Sequence, residues 1–120
     1  MIEVEGMINN QTISILIDSR VSHSYIDPKM VKIFQFPRSK HGKSWLVQLA
    51  TRAKRKINEM VKSCFMGMNG LNTREYLNIL PLGSYDCLIG MDWLDQHHTL
   101  LDSHNKEITC LDEEGKLRKV

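Results

Sequence analysis

The segment Thr12-Ile13-Ser14-Ile15-Leu16-Ile17 narrows the possible folds more than any other stretch, because it is rich in β-branched residues in partial alternation and ends on an acid. Such a run pairs in a sheet and buries at least Ile13, Ile15 and Ile17. Asp18 follows at once. A carboxylate is costly where a strand leaves a core unless it is hydrogen-bonded, ion-paired or used for chemistry, and the hydroxyls of Ser19, Ser22 and Ser24 stand close by in sequence. Two readings stay open on local pattern. Asp18-Ser19 either starts a turn, where Asp and Ser bond their own backbone, or presents a working carboxylate.

The remaining elements are mostly short strands. Ile2 to Met7 alternates, Asn9-Asn10 tolerates left-handed torsions, and Thr12 to Ile17 returns, which predicts a hairpin. Asp27-Pro28 supplies a cap and a first-turn proline, so a short helix is predicted from Pro28 to Phe34, ending before Pro37. Phe36 to Lys43 is expected as loop. Trp45 to Ala50 and Lys56 to Lys62 read as strands joined through Thr51-Arg52-Ala53-Lys54-Arg55. Cys64 to Asn72 reads as a turn-rich connection with Gly67 and Gly70, its methionines filling a core edge. Glu75 to Leu80 and Asp86 to Ile89 are further strands, Met91 to His97 a helix with Trp93 and Leu94 inward. Thr99 to Leu101 and Lys106 to Leu111 form a last hairpin, and the tail over 112–120 is expected to be loose. The sum is one mainly β domain over residues 1–120 with one or two short helices.

Composition limits the function classes. With 120 residues and 42% hydrophobic content the chain suits a single core and is too small for two. No apolar run reaches the roughly 18 residues of a membrane span. The opening MIEVEGMINN carries acids where a secretory signal carries basic residues, so a cytoplasmic setting is expected. Cys64, Cys87 and Cys110 are odd in number and widely spaced, which argues against a disulfide framework and predicts reduced, half-buried packing residues. No metal or other cofactor is implied: His97-His98 are adjacent, whereas helical ligands need wider spacing, and no acid or cysteine completes a set.

A second stretch, Leu80 to Leu94, LPLGSYDCLIGMDWL, changes the weight on Asp18. Together with ILIDSRVSHSYI it resembles the retropepsin-like aspartic proteases of long-terminal-repeat retrotransposons, in particular the Ty3/gypsy type abundant in plants. In that family an apolar strand leads into Asp-Ser/Thr-Gly, and a later apolar pair plus Gly is commonly followed by Met-Asp-Trp-Leu. Here Leu88-Ile89-Gly90-Met91-Asp92-Trp93-Leu94 matches, and the resemblance runs from about Val4 to Leu117.

The resemblance implies a retropepsin-like closed barrel and an aspartic endopeptidase that processes its own polyprotein. Such hydrolysis needs two carboxylates sharing one proton, one acting as base toward water while the other polarises the scissile carbonyl. One chain supplies one such element, so an isologous homodimer would oppose Asp18 with Asp18, with Ser19 as its support across the two-fold axis. The hairpin from Thr51 to Lys54 would be the flap, making Thr51, Arg52 and Ala53, with Arg20, the substrate-binding residues. Two departures bear on activity. Arg20 replaces the glycine of the family motif, and Arg52 stands where related chains place glycine at the flap tip. Glycine serves where backbone must approach a ligand closely or adopt torsions a side chain forbids. A catalytically silent descendant, kept as a dimerisation or peptide-binding module, is therefore the alternative.

Four other constellations carry less. The segment from Arg38 to Lys62 is basic and the last quarter comparatively acidic, which reads as solvated surface. No aromatic residue interleaves Arg52-Ala53-Lys54-Arg55-Lys56, so nucleic-acid stacking is not supported. Leu100-Leu101-Asp102-Ser103 echoes Leu16-Ile17-Asp18-Ser19, but His104-Asn105-Lys106 follows as turn chemistry and places Asp102 in a hairpin. Ser22, His23 and Asp27 lack the Gly-x-Ser-x-Gly elbow of a serine hydrolase.

Overall fold

The computed structural model describes all residues except Met1, Ala50, Thr51, Asn69, Gly70, Ser103, Lys106, Asp112, Glu113 and Val120, and for residue 118 the backbone alone. Strands β1 (Ile2–Ile8) and β2 (Gln11–Ile17) form the predicted hairpin, with Ile8 opposite Gln11. Asn9 and Asn10 take the left-handed torsions of its two-residue turn, φ 49° and 65°. A two-residue strand β3 (Tyr25–Ile26) precedes helix α1 (Pro28–Ile33). Asp27 caps that helix by accepting from the Lys29 amide at 2.8 Å, and its other oxygen accepts from the Leu82 amide at 2.9 Å.

Then come β4 (Ser39–Gln48), β5 (Lys54–Met68), β6 (Leu71–Ile79), β7 (Cys87–Ile89), helix α2 (Met91–Gln96), β8 (Leu100–Asp102), β9 (Glu107–Leu111) and β10 (Leu117–Lys119). The main sheet runs β1-β2-β7-β3-β6-β5-β4, and pairing of Met7 with Gly67 brings β1 back to β5. Six strands thereby close a barrel, with β4 hydrogen-bonded outside the ring to β5. The smaller sheet β10-β9-β8 stands beside it. Ile15, Ile17, Leu77, Ile89 and Ile108 have no exposed surface and lie in one core with Trp93 and Leu94 of α2. Each fully buried aliphatic side chain of this kind contributes roughly 1.5–3 kcal/mol.

The structure departs from local pattern in three places. Of the expected connection over Cys64 to Asn72, Cys64 to Met68 belongs to β5 and Leu71 and Asn72 to β6, while Asn69 and Gly70 lie outside the described residues. Cys64, Met66 and Met68 alternate inward along β5, which pairs with β6 up to Met68 opposite Leu71. Glycine is depleted in strands, but barrel burial on one face outweighs the local preference at Gly67. The expected loop over Phe36 to Lys43 is cut short by β4, which starts at Ser39 and pairs Ser39 with Met60 before a break in register ending at Trp45. The tail is not wholly loose either, because Leu117–Lys119 forms β10 with Leu117 opposite Leu111. All three cysteines are fully buried and unbridged, more deeply placed than half-buried packing requires.

Candidate active site

Asp18 leaves the end of β2 where that strand lies parallel to β7. Ile17 is opposite Ile89, and the Asp18 amide continues the ladder to the Ile89 carbonyl at 3.0 Å. The chain then turns, the Val21 amide donating to the Asp18 carbonyl at 3.2 Å. Asp18 itself is 7% exposed, and Ser19 beside it is exposed.

What fixes the following loop comes from far along the chain. A Cβ on Gly90 would stand 2.5 Å from the His23 carbonyl oxygen and 2.6 Å from that of Val21, so only glycine lets the loop lie this close. The first amides of α2, which have no intrahelical partners, donate to that loop: Met91 to the Val21 carbonyl at 2.7 Å and Asp92 to that of Ser22 at 3.1 Å. Ser24, nearly inaccessible, donates its hydroxyl to Asp92 Oδ1 at 2.6 Å and accepts from the Gly90 amide at 3.0 Å. Its own amide donates to Asp92 Oδ2 at 3.0 Å. Below, the buried Asn78 donates its side-chain amide to the Ser24 carbonyl at 3.1 Å and meets His41 Nε2 at 2.6 Å. Gly90, Asp92, Ser24 and Asn78 thus support the aspartate loop, a role that strand and helix periodicity do not announce. The one signal for it in the sequence is the Gly90-Met91-Asp92-Trp93 quartet.

Arg20 decides the electrostatics. Its backbone amide donates to Asp18 Oδ1 at 2.9 Å, its Nε to the same oxygen at 3.1 Å and a terminal nitrogen to Oδ2 at 3.2 Å. The fork engages both carboxylate oxygens, the geometry in which guanidinium binds carboxylate best. Hydrogen bonding from the Arg20 side chain therefore holds the Asp18 carboxyl below its ordinary value, although burial acts the other way. Catalysis by paired carboxylates needs one proton between them, and a guanidinium forked onto a carboxylate disfavours that proton.

Over this loop stands the β4–β5 hairpin. Trp45 lies opposite Ile57 and Val47 opposite Arg55, so these four share one face, while Leu46, Lys56, Gln48 and Lys54 share the other. The first face looks inward: Ile57 is buried with Tyr25 and Leu80, and Val21, Trp45, Val47 and Leu49 pack against them. The Trp45 ring lies 4.9 Å from that of His23 and 5.1 Å from that of His41. At the tip, the Leu49 amide donates to Ala53 and the Arg52 amide to Leu49, each at 2.8 Å. Arg52 takes φ 68°, a left-handed torsion that costs a residue with a Cβ about 1 kcal/mol. Arg52 and Ala53 are exposed, and Thr51 lies outside the described residues.

The other sequence candidates lie elsewhere. Asp102 is exposed and accepts from the amides of His104 and Asn105 at 3.1 Å, and from the Asn105 side chain at 2.8 Å. His97 Nε2 meets the buried Glu75 at 2.9 Å, fastening α2 to β6. Asp27 is committed to the cap described above. Among the described residues no three His, Cys, Asp or Glu side chains gather to hold a metal ion, and no helix is long and apolar enough to cross a membrane.

Comparison with known proteins completes the site's context. No curated protein matches the chain. Among solved structures it is similar to the retroviral protease-like domain of Ddi1 from Leishmania major, at 16% identity and TM-score 0.69, covering 100% of this chain and 94% of that one. That likeness is one of fold. The family model described as retroviral aspartyl protease matches residues 1–116, nearly the whole length, with Asp18 and Gly90 inside the match. The chain belongs to the retroviral aspartyl protease family.

Proposed function

We propose that this chain binds extended polypeptide as an isologous homodimer in the manner of a retropepsin, with hydrolysis held off by Arg20. The observation that carries this is the fork from Arg20 onto both Asp18 oxygens, at 3.1 and 3.2 Å. A single chain offers one aspartate at a strand end beneath a hairpin, which is half of a paired-carboxylate site. Two copies related by a two-fold axis would bring Asp18 to Asp18, with Ser19 positioned to bond across the axis. The β4–β5 hairpin would then serve as the flap, its tip at Thr51, Arg52 and Ala53 lying over the peptide. A retrotransposon of Ty3/gypsy type is the proposed source, supported by ILIDSRVSHSYI and LIGMDWL, and a cytoplasmic setting goes with it.

A second reading, an active endopeptidase that cuts its polyprotein, is favoured by one fact: the Arg20 side chain is 72% exposed. An ion pair open to water on that side gains little and can separate. Cleavage of a broad peptide library between about pH 4 and 7 separates the two readings, using the parent protein, Asp18→Asn and Arg20→Gly, with mass read by sedimentation. The expected result is a dimer that cuts nothing, with cleavage appearing in Arg20→Gly and absent from Asp18→Asn. Cleavage by the parent that disappears in Asp18→Asn and is blocked by pepstatin would overturn the arrest and establish the second reading. A monomer at every concentration would overturn the dimer.

A further inference from the structure

Toward its tip, from Trp45 to Leu49 and back through Ile57, the inward face of the β4–β5 hairpin is apolar except at the exposed Arg55. Trp45, Val47, Leu49 and Ile57 form a wall above Val21, and Arg55 sits in that wall opposite Val47. Arg20 immediately precedes Val21, but its guanidinium is committed to Asp18. Arg52 lies at the hairpin tip. Among the described residues Arg52, Lys54, Arg55 and Lys56 have no ion-pair partner, and the nearby Glu59 is engaged by Arg38 at 3.6 Å. The half-cleft is therefore a hydrophobic surface with uncompensated cations at its wall and rim. Cations alone would be a solvated face, but here Arg55 shares its face with buried and half-buried apolar groups.

We propose that the occupant of this cleft is an extended peptide bearing an acidic side chain between apolar ones, its carboxylate held by Arg55. This rests on the peptide-binding function above and names the class of ligand. Alternating side chains of an extended peptide would set apolar groups on Trp45, Val47 and Val21 and bring the acid to Arg55. Charge complementarity argues for an acid, and the apolar wall argues for a peptide over a phosphate backbone.

The test is fluorescence anisotropy with a short labelled peptide of apolar residues carrying one central Glu, and its Gln counterpart, against the parent protein and Arg55→Gln. A labelled oligothymidylate serves as the phosphate probe. The Glu peptide should bind the parent about tenfold more tightly than the Gln peptide. That preference should weaken with added salt and shrink severalfold in Arg55→Gln. Equal affinity for the two peptides would overturn the acidic ligand and leave peptide binding standing. Binding of neither peptide would overturn the peptide-binding function and this proposal together. Binding of the oligothymidylate in preference to both would assign the cations to phosphate and overturn the proposal.

Discussion

Leu16-Ile17-Asp18-Ser19 and Leu100-Leu101-Asp102-Ser103 place the same acid and hydroxyl after two apolar residues, yet the first aspartate is buried and the second is exposed. Both carboxyls are held below their ordinary value, by different means. Arg20 does it for Asp18, whereas the backbone amide and side chain of Asn105 do it for Asp102. A lowered carboxyl is therefore no mark of an active site. The difference lies in sequence distance. Asp102 is held by residues two and three positions on, as any Asx turn is. Asp18 is attached to Ile89, and its loop rests on Gly90, Asp92 and Asn78, so the whole barrel must fold before the loop has its shape.

The most damaging way to probe that contrast is Gly90→Ala. The added methyl meets backbone and not a movable side chain, so the fold should lose about 3 kcal/mol or more in urea denaturation. A loss below about 1 kcal/mol would show the Asp18 loop to be as independent of the barrel as the Asp102 loop. Ser24→Ala should cost less, about 1–3 kcal/mol, by leaving Asp92 and the Gly90 amide each short of a partner.

Acid titration sharpens the electrostatic half. Because the folded Asp18 carboxyl sits below its unfolded value of 3.8, its ion pair stabilises fully above that pH and is lost as pH falls through the folded value. Thermal melts of Arg20→Gln should consequently show a shallower loss of stability below about pH 4 than the parent. Identical acid slopes would break the assignment of Arg20 as the partner that matters. Asp102→Ala should have the smallest effect of the set on melting temperature and none on peptide binding or cleavage. A change in either activity would place the second loop in the site.

The two ends of the molecule were unequally legible in the sequence. Asn9-Asn10, Asp27-Pro28 and the run into Asp18 are local devices, and each gave the element its chemistry predicts. Met91 to His97 was legible for the same reason, with Trp93 and Leu94 turned inward as its helical spacing requires. The strand through Cys64, Met66 and Met68 was hidden by residue types that suit turns, and its burial is decided by β6 and the barrel seam. In the candidate site, the place of Asp18 at the end of β2 was legible from strand chemistry. The hydrogen bonds joining Ser24 to Asp92 span 68 positions, which no periodicity over a short window can register. Arg20 was visible as a departure from a motif, but its grip on both oxygens of Asp18 is a matter of geometry.

The three buried cysteines have a practical consequence. Cys64 lies on β5, Cys87 on β7 and Cys110 on β9, so each occupies a different part of the molecule: the barrel wall, the strand beside Asp18, and the smaller sheet. Burial pushes the Cys64 thiol up to about 11 and raises that of Cys87 as well, and alkylating reagents react only with exposed thiolate. In the native protein these sulfurs are chemically silent, and each becomes reactive only when its own neighbourhood opens. The chain thus carries built-in reporters of local unfolding, and the order in which they are alkylated would reveal which part of the protein loosens first.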